Sequence, residues 1–223
     1  MSQYRVMIGY DPRQPVAYNV AQHSVIRNAS KPVCITPLVL NQLPITRRGL
    51  TEFTFSRFLV PWLCDFKGKA MFMDPDMIVL GDVCAMMDAR DPMAGVVHVV
   101  KDQPEFEWPS MMVFSNARCR NLTPEYVENP ENPLFGFDWA DKVGEIPAEW
   151  NFCVGYQGEE CNTFGPVNPK KLYHFTEGLP IWPQTRNHPD HSPIWEKEFN
   201  DANSSVSYAE LMGNSVHAQR RKT

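Results

Sequence analysis

Apolar and polar positions alternate along the first half of the chain in blocks of two different periods. Residues 5–10 form a compact apolar run ending at Asp11-Pro12, and residues 16–28 carry Val16, Val20, Ser24, Val25 and Ile26 at roughly helical spacing. The chain therefore opens as strand, loop, helix. Residues 33–40 predict a second strand, and residues 51–63 a helix with Phe55, Phe58, Leu59 and Trp62 along one side. Three further apolar runs, 70–73, 95–100 and 111–114, are each bounded by Pro, Gly or charged residues and predict strands. Strands and helices in this order indicate an α/β fold with a mainly parallel central sheet flanked by helices. After Asn121 the texture changes. Many of the prolines and most of the tryptophans fall here, and only short apolar pieces such as 150–156 and 172–175 remain, which predicts loops and short helices folded over one end of the sheet. No internal repeat, low-complexity tract or flexible linker interrupts the chain, so residues 1–223 read as one domain with a loop-rich C-terminal part.

Composition narrows the class. A chain of 223 residues buries about 70% of its unfolded surface, and 43% apolar with 12% aromatic residues can supply that core, which excludes disordered and fibrous proteins. Lys plus Arg number 21 against 26 acids, a net charge of -5, so no general field for nucleic acid or an anionic membrane is present. The basic cluster Arg220 to Lys222 reads as a solvated tail. Six scattered cysteines without a C-x-x-C pair suit buried or idle thiols in a reducing compartment rather than a disulfide framework or a zinc site. The N-terminus shows no secretory signal, and the longest apolar run, 58–64, is too short to span a bilayer. The expectation is a cytoplasmic protein without a transmembrane segment, in which the sequons at Asn28, Asn121 and Asn203 are chance.

The chemistry concentrates in Asp74-Pro75-Asp76, two carboxylates inside an otherwise apolar stretch, where ionised groups need a positive partner. Residues i and i+2 of an extended chain point to the same side, so Asp74 and Asp76 can converge on one metal ion while Pro75 marks the end of the strand. In an open α/β sheet, ligands bind at the carboxyl ends of strands. A surface turn or a capped strand end is the plainer alternative.

Further motifs follow in a fixed order: Ile8-Gly9-Tyr10-Asp11, Phe55-Ser56-Arg57-Phe58, Phe72-Met73-Asp74-Pro75-Asp76 with Gly81-Asp82, Trp108-Pro109-Ser110 running to Asn116, Ile146-Pro147-Ala148-Glu149-Trp150-Asn151, and Tyr173-His174-Phe175-Thr176-Glu177-Gly178 with Trp182. In this order the chain resembles the retaining nucleotide-sugar glycosyltransferases of family 8 and their bacterial and phage relatives, which have the GT-A fold. The resemblance covers most of the chain and implies a nucleotide-binding α/β part at 1–120 and an acceptor-side, closing part at 121–223. It implies transfer of a sugar from a nucleotide diphosphate donor, a UDP-sugar, to a hydroxyl acceptor with retention at the anomeric carbon. The acceptor would be a glycan, a lipid-linked molecule or a small molecule. Carried over, the metal ligands are Asp74, Asp76 and His174, a set that suits Mn²⁺ or Mg²⁺. Tyr10, Asp11, Pro75 and Gly178 would line the donor pocket, and Arg57 would approach the donor or orient the metal carboxylates. Each has a structural alternative: Asp11 as a helix cap, Arg57 as a surface ion pair, His174 as a core or loop histidine.

The chain also departs from that pattern. Where the family often has Lys-Pro-Trp after the histidine, this sequence reads Pro180-Ile181-Trp182, so either another cation, with Arg186 the candidate, replaces the phosphate-contacting lysine or the phosphates rely on the metal. The family's acceptor motif is echoed at Phe137-Asp138-Trp139-Ala140-Asp141, which makes Asp138, ahead of Asp141, the candidate nucleophile. A covalent intermediate and proton uptake by the leaving phosphate both remain open. His188-Pro189-Asp190-His191 has ligand types but no element to present them together. Trp182 and Trp195 could stack on a sugar or pack in the core. Two other functions fit a D-x-D after an apolar strand or a retained fold: a haloacid dehalogenase-like phosphatase, and an inactive nucleotide-sugar or glycan-binding module.

Overall fold

The computed structural model describes residues 4–103, 106–154, 170–186 and 192–213. In chain order the main elements are β1 (Tyr4–Gly9), α1 (Pro15–Asn28), β2 (Val33–Leu38), α2 (Val60–Leu63), β3 (Lys69–Met73), β4 (Met77–Val79), α3 (Val83–Asp88), β5 (Val97–Gln103), β6 (Phe106–Ser115), α4 (Pro124–Glu128), β7 (Val143–Ile146), β8 (Phe152–Cys153), β9 (Leu172–His174), α5 (Ser192–Ala202) and α6 (Tyr208–Met212). Among the described residues the strands form a six-stranded sheet in the order β2-β1-β3-β6-β5-β7 and a three-stranded sheet in the order β4-β9-β8. In the larger sheet β6 runs antiparallel to both neighbours, and the β1–β2, β1–β3 and β5–β7 pairs are parallel. The expected mainly parallel sheet flanked by helices is present.

The central strands read as unbroken apolar runs because both faces of the sheet are covered. Successive side chains of a strand point to opposite faces. Accordingly Met7, Ala70, Phe72, Met112 and Phe114 enter one core with Phe58 and Trp139. Their neighbours Ile8, Met71, Met73, Met111 and Val113 enter a second core with Ala21 and Val25 of α1. A third cluster joins Ala17 and Val20 of α1 to Ile78 of β4, Phe152, Phe175 and Trp195 of α5, and so fixes the smaller sheet against α1. The same helix pair is joined by the buried Glu198 on α5, which accepts from the part-exposed His23 Nδ1 at 2.7 Å and Arg27 Nη2 at 2.5 Å.

Three expectations are corrected. Residues 51–63 are not one helix: turns at 51–55 lead into a 3₁₀ segment, Ser56–Leu59, and only then α2. Pro61 has no N–H for the carbonyl four residues back, so a helix can only restart with Pro61 in its first turn. Upstream, Thr54 Oγ1 accepts the Thr51 N–H and replaces a backbone bond. Residues after Asn121 are not merely loops and short helices, since β7 extends the large sheet and β8 and β9 build the small one. These strands of four, two and three residues are too short to show a period. The fifth apolar run is also longer than 111–114, because β6 continues through Pro109 by breaking register with β5. His188, Asp190, His191, Cys161 and Arg220 to Lys222 lie outside the described residues. Cys64, Cys84, Cys119 and Cys153 are buried free thiols. Among the described residues no helix is long and apolar enough to cross a membrane.

Gly9 ends β1 under the ring of Phe53, and a Cβ there would sit 2.5 Å from Phe53 Cγ. Gly9→Ala is therefore expected to cost about 1–3 kcal/mol through overpacking, read as a lower urea midpoint. In a Phe53→Ala background the same change should fall within about 0.5 kcal/mol of neutral. Equal losses in both backgrounds would reject the contact.

Candidate metal centre

The carboxyl ends of β1 and β3 lie side by side, Ile8 opposite Met73, and the chemistry collects at that edge. β3 ends at Met73, but the Asp74 N–H still donates to Ser110 O at 2.9 Å, so Asp74 stays tied to β6. The chain then turns at Pro75-Asp76 and leaves for the smaller sheet as β4. The two aspartates thus converge through a turn rather than along a continuous extended strand. The antiparallel register of β4 with β9 puts Met77 opposite His174, and Phe175 N donates to Asp76 O at 2.9 Å. This pairing carries His174 across about a hundred residues of sequence to the aspartates.

One ligand atom from each of Asp74, Asp76 and His174 lies within 4.8 Å of the others. His174 Nε2 is 3.4 Å from Asp76 Oδ1, and Arg57 Nη2 is 3.1 Å from Asp74 Oδ1. Neither contact is aligned as a hydrogen bond: Asp74 Oδ1 and Asp76 Oδ1 are buried and receive none. Orphaned carboxylate oxygens beside an imidazole nitrogen fit a divalent cation of the hard to borderline kind. The residues border a cavity of about 350 Å³ that Phe53, Arg57 and Ser110 also line.

Burial pushes the Asp74 carboxyl up to about 7, against the pull of Arg57 and with a further push from Asp76. Burial works against the His174 imidazolium, but the Asp76 carboxylate outweighs it and lifts His174 to about 10.

Arg57 is buried rather than paired at the surface. Its Nε donates to Phe53 O at 3.2 Å and its Nη1 to Pro109 O at 2.8 Å, while the guanidinium lies 4.9 Å from the centre of the Phe72 ring. Two of its donors go to backbone carbonyls and the charge faces Asp74, the geometry of a residue that holds the Asp74 carboxylate in place. The departure of β6 from β5 around Pro109-Ser110 is what delivers Pro109 O and Ser110 to this point.

The other expected site residues are placed as follows. Tyr10 and Asp11 follow β1 at the same edge. Tyr10 packs edge to face on Tyr18, and Asp11 is held below the usual carboxylate range by hydrogen bonds from Arg13. Asp11 does not cap α1, whose N-cap is Gln14. Gly178 adopts φ +118°, a turn conformation that favours glycine. Two of the expected residues are not among those lining the cavity. Asp141 is exposed and paired with Arg118, just before the amino end of β7, at the edge of the sheet opposite Asp74. Asp138 is exposed between the buried Phe137 and Trp139, in the segment leading to that same edge, and is not among the residues lining the cavity. Arg186 borders a different cleft, with Trp195 and Phe199 of α5. Trp195 is buried and stacked on Phe199, a packing role, whereas Trp182 is exposed.

Asn151 and Ser110 emerge from the structure with no assigned role in the sequence reading. Asn151 Oδ1 lies 3.0 Å from His174 Nδ1, and its Nδ2 donates to Ser110 Oγ at 3.3 Å. The only signal in the sequence is an amide directly before a short apolar strand, which many loops share.

No protein-family model matches the chain. Three solved structures share its fold at low identity: the bifunctional glycosyltransferase WbbM (TM-score 0.65, 15% identical, 99% of this chain and 52% of that one), the galactosyltransferase LgtC in complex with donor and acceptor sugar analogs (0.60, 9%, 93% and 99%), and the glycosyltransferase GlyE of Streptococcus pneumoniae (0.63, 15%, 98% and 64%). The chain thus spans about half the length of WbbM. All three are glycosyltransferases, and the fold they share with this chain is GT-A. A phosphatase of the haloacid dehalogenase type finds no counterpart among them. In sequence the chain is 31% identical to Protein CDI of Arabidopsis thaliana over 231 aligned residues, 90% of this chain and 87% of that protein. With a GT-A fold and this identity over nearly its whole length, the chain belongs to the family of Arabidopsis thaliana Protein CDI.

Proposed function

We propose that this protein transfers a sugar from a nucleotide diphosphate donor, a UDP-sugar, to a hydroxyl group of a glycan, lipid-linked or small-molecule acceptor, with retention at the anomeric carbon. The observation that carries this reading is the convergence of Asp74, Asp76 and His174, with two orphaned carboxylate oxygens, at the carboxyl edge of a GT-A sheet. Asp74 and Asp76 are the anionic ligands for Mn²⁺ or Mg²⁺ and His174 the neutral one. A bound divalent ion supplies Lewis-acid stabilisation of the departing diphosphate, worth several kcal/mol. Arg57 keeps Asp74 oriented and pulls its carboxyl toward the ionised form, against the effect of burial. The edge formed by Tyr10 and Asp11 after β1 is the wall for the nucleoside, and the Pro75 and Gly178 turns border the donor.

In the proposed reaction the bond from the anomeric carbon to the diphosphate oxygen breaks while the acceptor oxygen bonds to the same carbon. The acceptor proton leaves with the nucleoside diphosphate. The positions of Asp138 and Asp141 away from the cavity favour this route over a covalent glycosyl intermediate. A non-catalytic nucleotide-sugar-binding module is the second reading. It draws on one observation: Arg186 lies on another cleft, so among the described residues lining the cavity the cationic side chain is Arg57, already committed to Asp74.

Hydrolysis of a panel of nucleotide sugars with and without divalent metal tests the reading and needs no acceptor. Metal-dependent release of sugar from a UDP-sugar is expected, lost by at least about a hundredfold in Asp74→Asn and in Asp76→Asn with the far-UV spectrum unchanged. Wild-type rates in either variant would remove the metal assignment, and UDP binding without sugar release would select the non-catalytic module.

Product NMR is expected to show an α-linked product from an α-linked donor. A β-linked product would exclude retention.

Metal binding should release protons, because Asp74, held up at about 7, must ionise and His174, held up at about 10, must become neutral. Both losses are easier at higher pH, so the apparent Mn²⁺ affinity should rise from about pH 6 to pH 8. Calorimetry in buffers of different ionisation enthalpy measures the release, and a pH-independent affinity would contradict the site electrostatics.

A further inference from the structure

We infer that Asn151 is a positioning residue for the metal centre: its side-chain oxygen fixes the proton of His174 on Nδ1 and so leaves Nε2 free to bind the cation. The inference rests on the metal site proposed above. His174 is 3% exposed, so water does not supply the partner for its second ring nitrogen. That nitrogen, Nδ1, faces Asn151 Oδ1 at 3.0 Å, while Nε2 faces Asp76 and the cavity. A carboxamide oxygen only accepts, so Nδ1 must be the donor, and in the neutral ring the lone pair then sits on Nε2. Cys153 Sγ lies 3.8 Å from the same nitrogen and is a weak acceptor beside an amide oxygen.

The amide is itself held. Asn151 is 3% exposed, at the end of the 3₁₀ turn Ala148–Trp150, where its backbone N–H donates to Ala148 O at 3.1 Å. Its Nδ2 donates to Ser110 Oγ, which turns Oδ1 toward the imidazole. Ser110 is the residue whose carbonyl accepts the Asp74 N–H. A single chain of hydrogen bonds therefore runs from Asp74 on the large sheet through Ser110 and Asn151 to His174 on the small sheet. The two ligands brought together from separate sheets are set in register by it. Outer partners of this kind contribute about 10- to 100-fold in metal affinity.

The test is Mn²⁺ affinity of the full chain, measured by electron paramagnetic resonance of the free ion, for the wild type, Asn151→Leu, Asn151→Asp, His174→Ala and the His174→Ala/Asn151→Leu double variant. Asn151→Leu keeps the size and loses the acceptor, and should weaken Mn²⁺ by about 10- to 100-fold. Asn151→Asp keeps an oxygen that accepts and should stay within about threefold of wild type. In the His174→Ala background, Asn151→Leu should change affinity by less than about twofold, because its target is gone. An Asn151→Leu loss that persists without His174, an Asn151→Asp loss as large as that of Asn151→Leu, or no loss in Asn151→Leu overturns the proposal. A measurement on the unaltered chain stands apart from how the variants fold. With ¹⁵N-labelled histidine and diamagnetic Zn²⁺, His174 should show a protonated Nδ1 and a metal-bound Nε2, and metal on Nδ1 overturns the assignment. Absence of Mn²⁺ binding by the wild type, or binding indifferent to Asp76→Asn, overturns the metal site and this inference with it.

Discussion

Two carboxylates placed where the apolar core meets the carboxyl edge of the sheet govern much of what surrounds them. An isolated buried carboxylate is strongly disfavoured unless paired or coordinated. Asp74 is 8% exposed, directly after Met73 in a strand buried on both faces. The structure answers with Arg57 on one side and His174 on the other. Arg57 is then buried too and needs acceptors, found in Phe53 O and Pro109 O, with the Phe72 ring beneath it. The broken helical segment before α2 carries Arg57, and the register break in β6 brings Pro109 O to it. Arg57 compensates only part of the charge, and the orphaned oxygens that remain are what make the site fit a cation.

The smaller sheet is the device that completes the site. β4 leaves the turn at Asp76 and pairs with β9, so the distance from Asp76 to His174 is fixed by a strand register rather than by a loop. A side chain carried on paired strands is held more closely than one on a free loop. The small sheet has only short strands and would not be stable alone. It is held by Ile78, Phe152 and Phe175 packing with Ala17 and Val20 of α1 and Trp195 of α5. The Glu198 ion pair to His23 and Arg27 clamps the same two helices. Packing far from the cavity thereby sets the position of His174 beside the two aspartates.

Local patterning in the sequence determined the larger part of the first half of the fold. Strands β1, β2, β3 and β5 and helix α1 were legible because long apolar runs and helical spacing reflect burial on two sheet faces or one helix face, a property each segment carries in its own residues. The pairing of Asp74 with Asp76 was legible for the same reason, as charge out of place in an apolar stretch. Motif order carried the GT-A expectation. What only the tertiary structure decided is which distant residues meet. Asp138 and Asp141 resembled an acceptor motif, yet neither lines the cavity and Asp141 lies at the far end of the sheet, since sequence spacing does not say at which end of a strand a preceding loop will lie. Strands β7, β8 and β9, of four, two and three residues, hold no period of their own and exist because long-range partners complete their hydrogen bonds. Asn151 stands in one of the ordered motifs, but nothing in the sequence gives it a partner. Its place beside His174 depends on the β8–β9 pairing and on Ser110 from a third strand, and such a meeting is a property of the assembled chain, not of any segment of it.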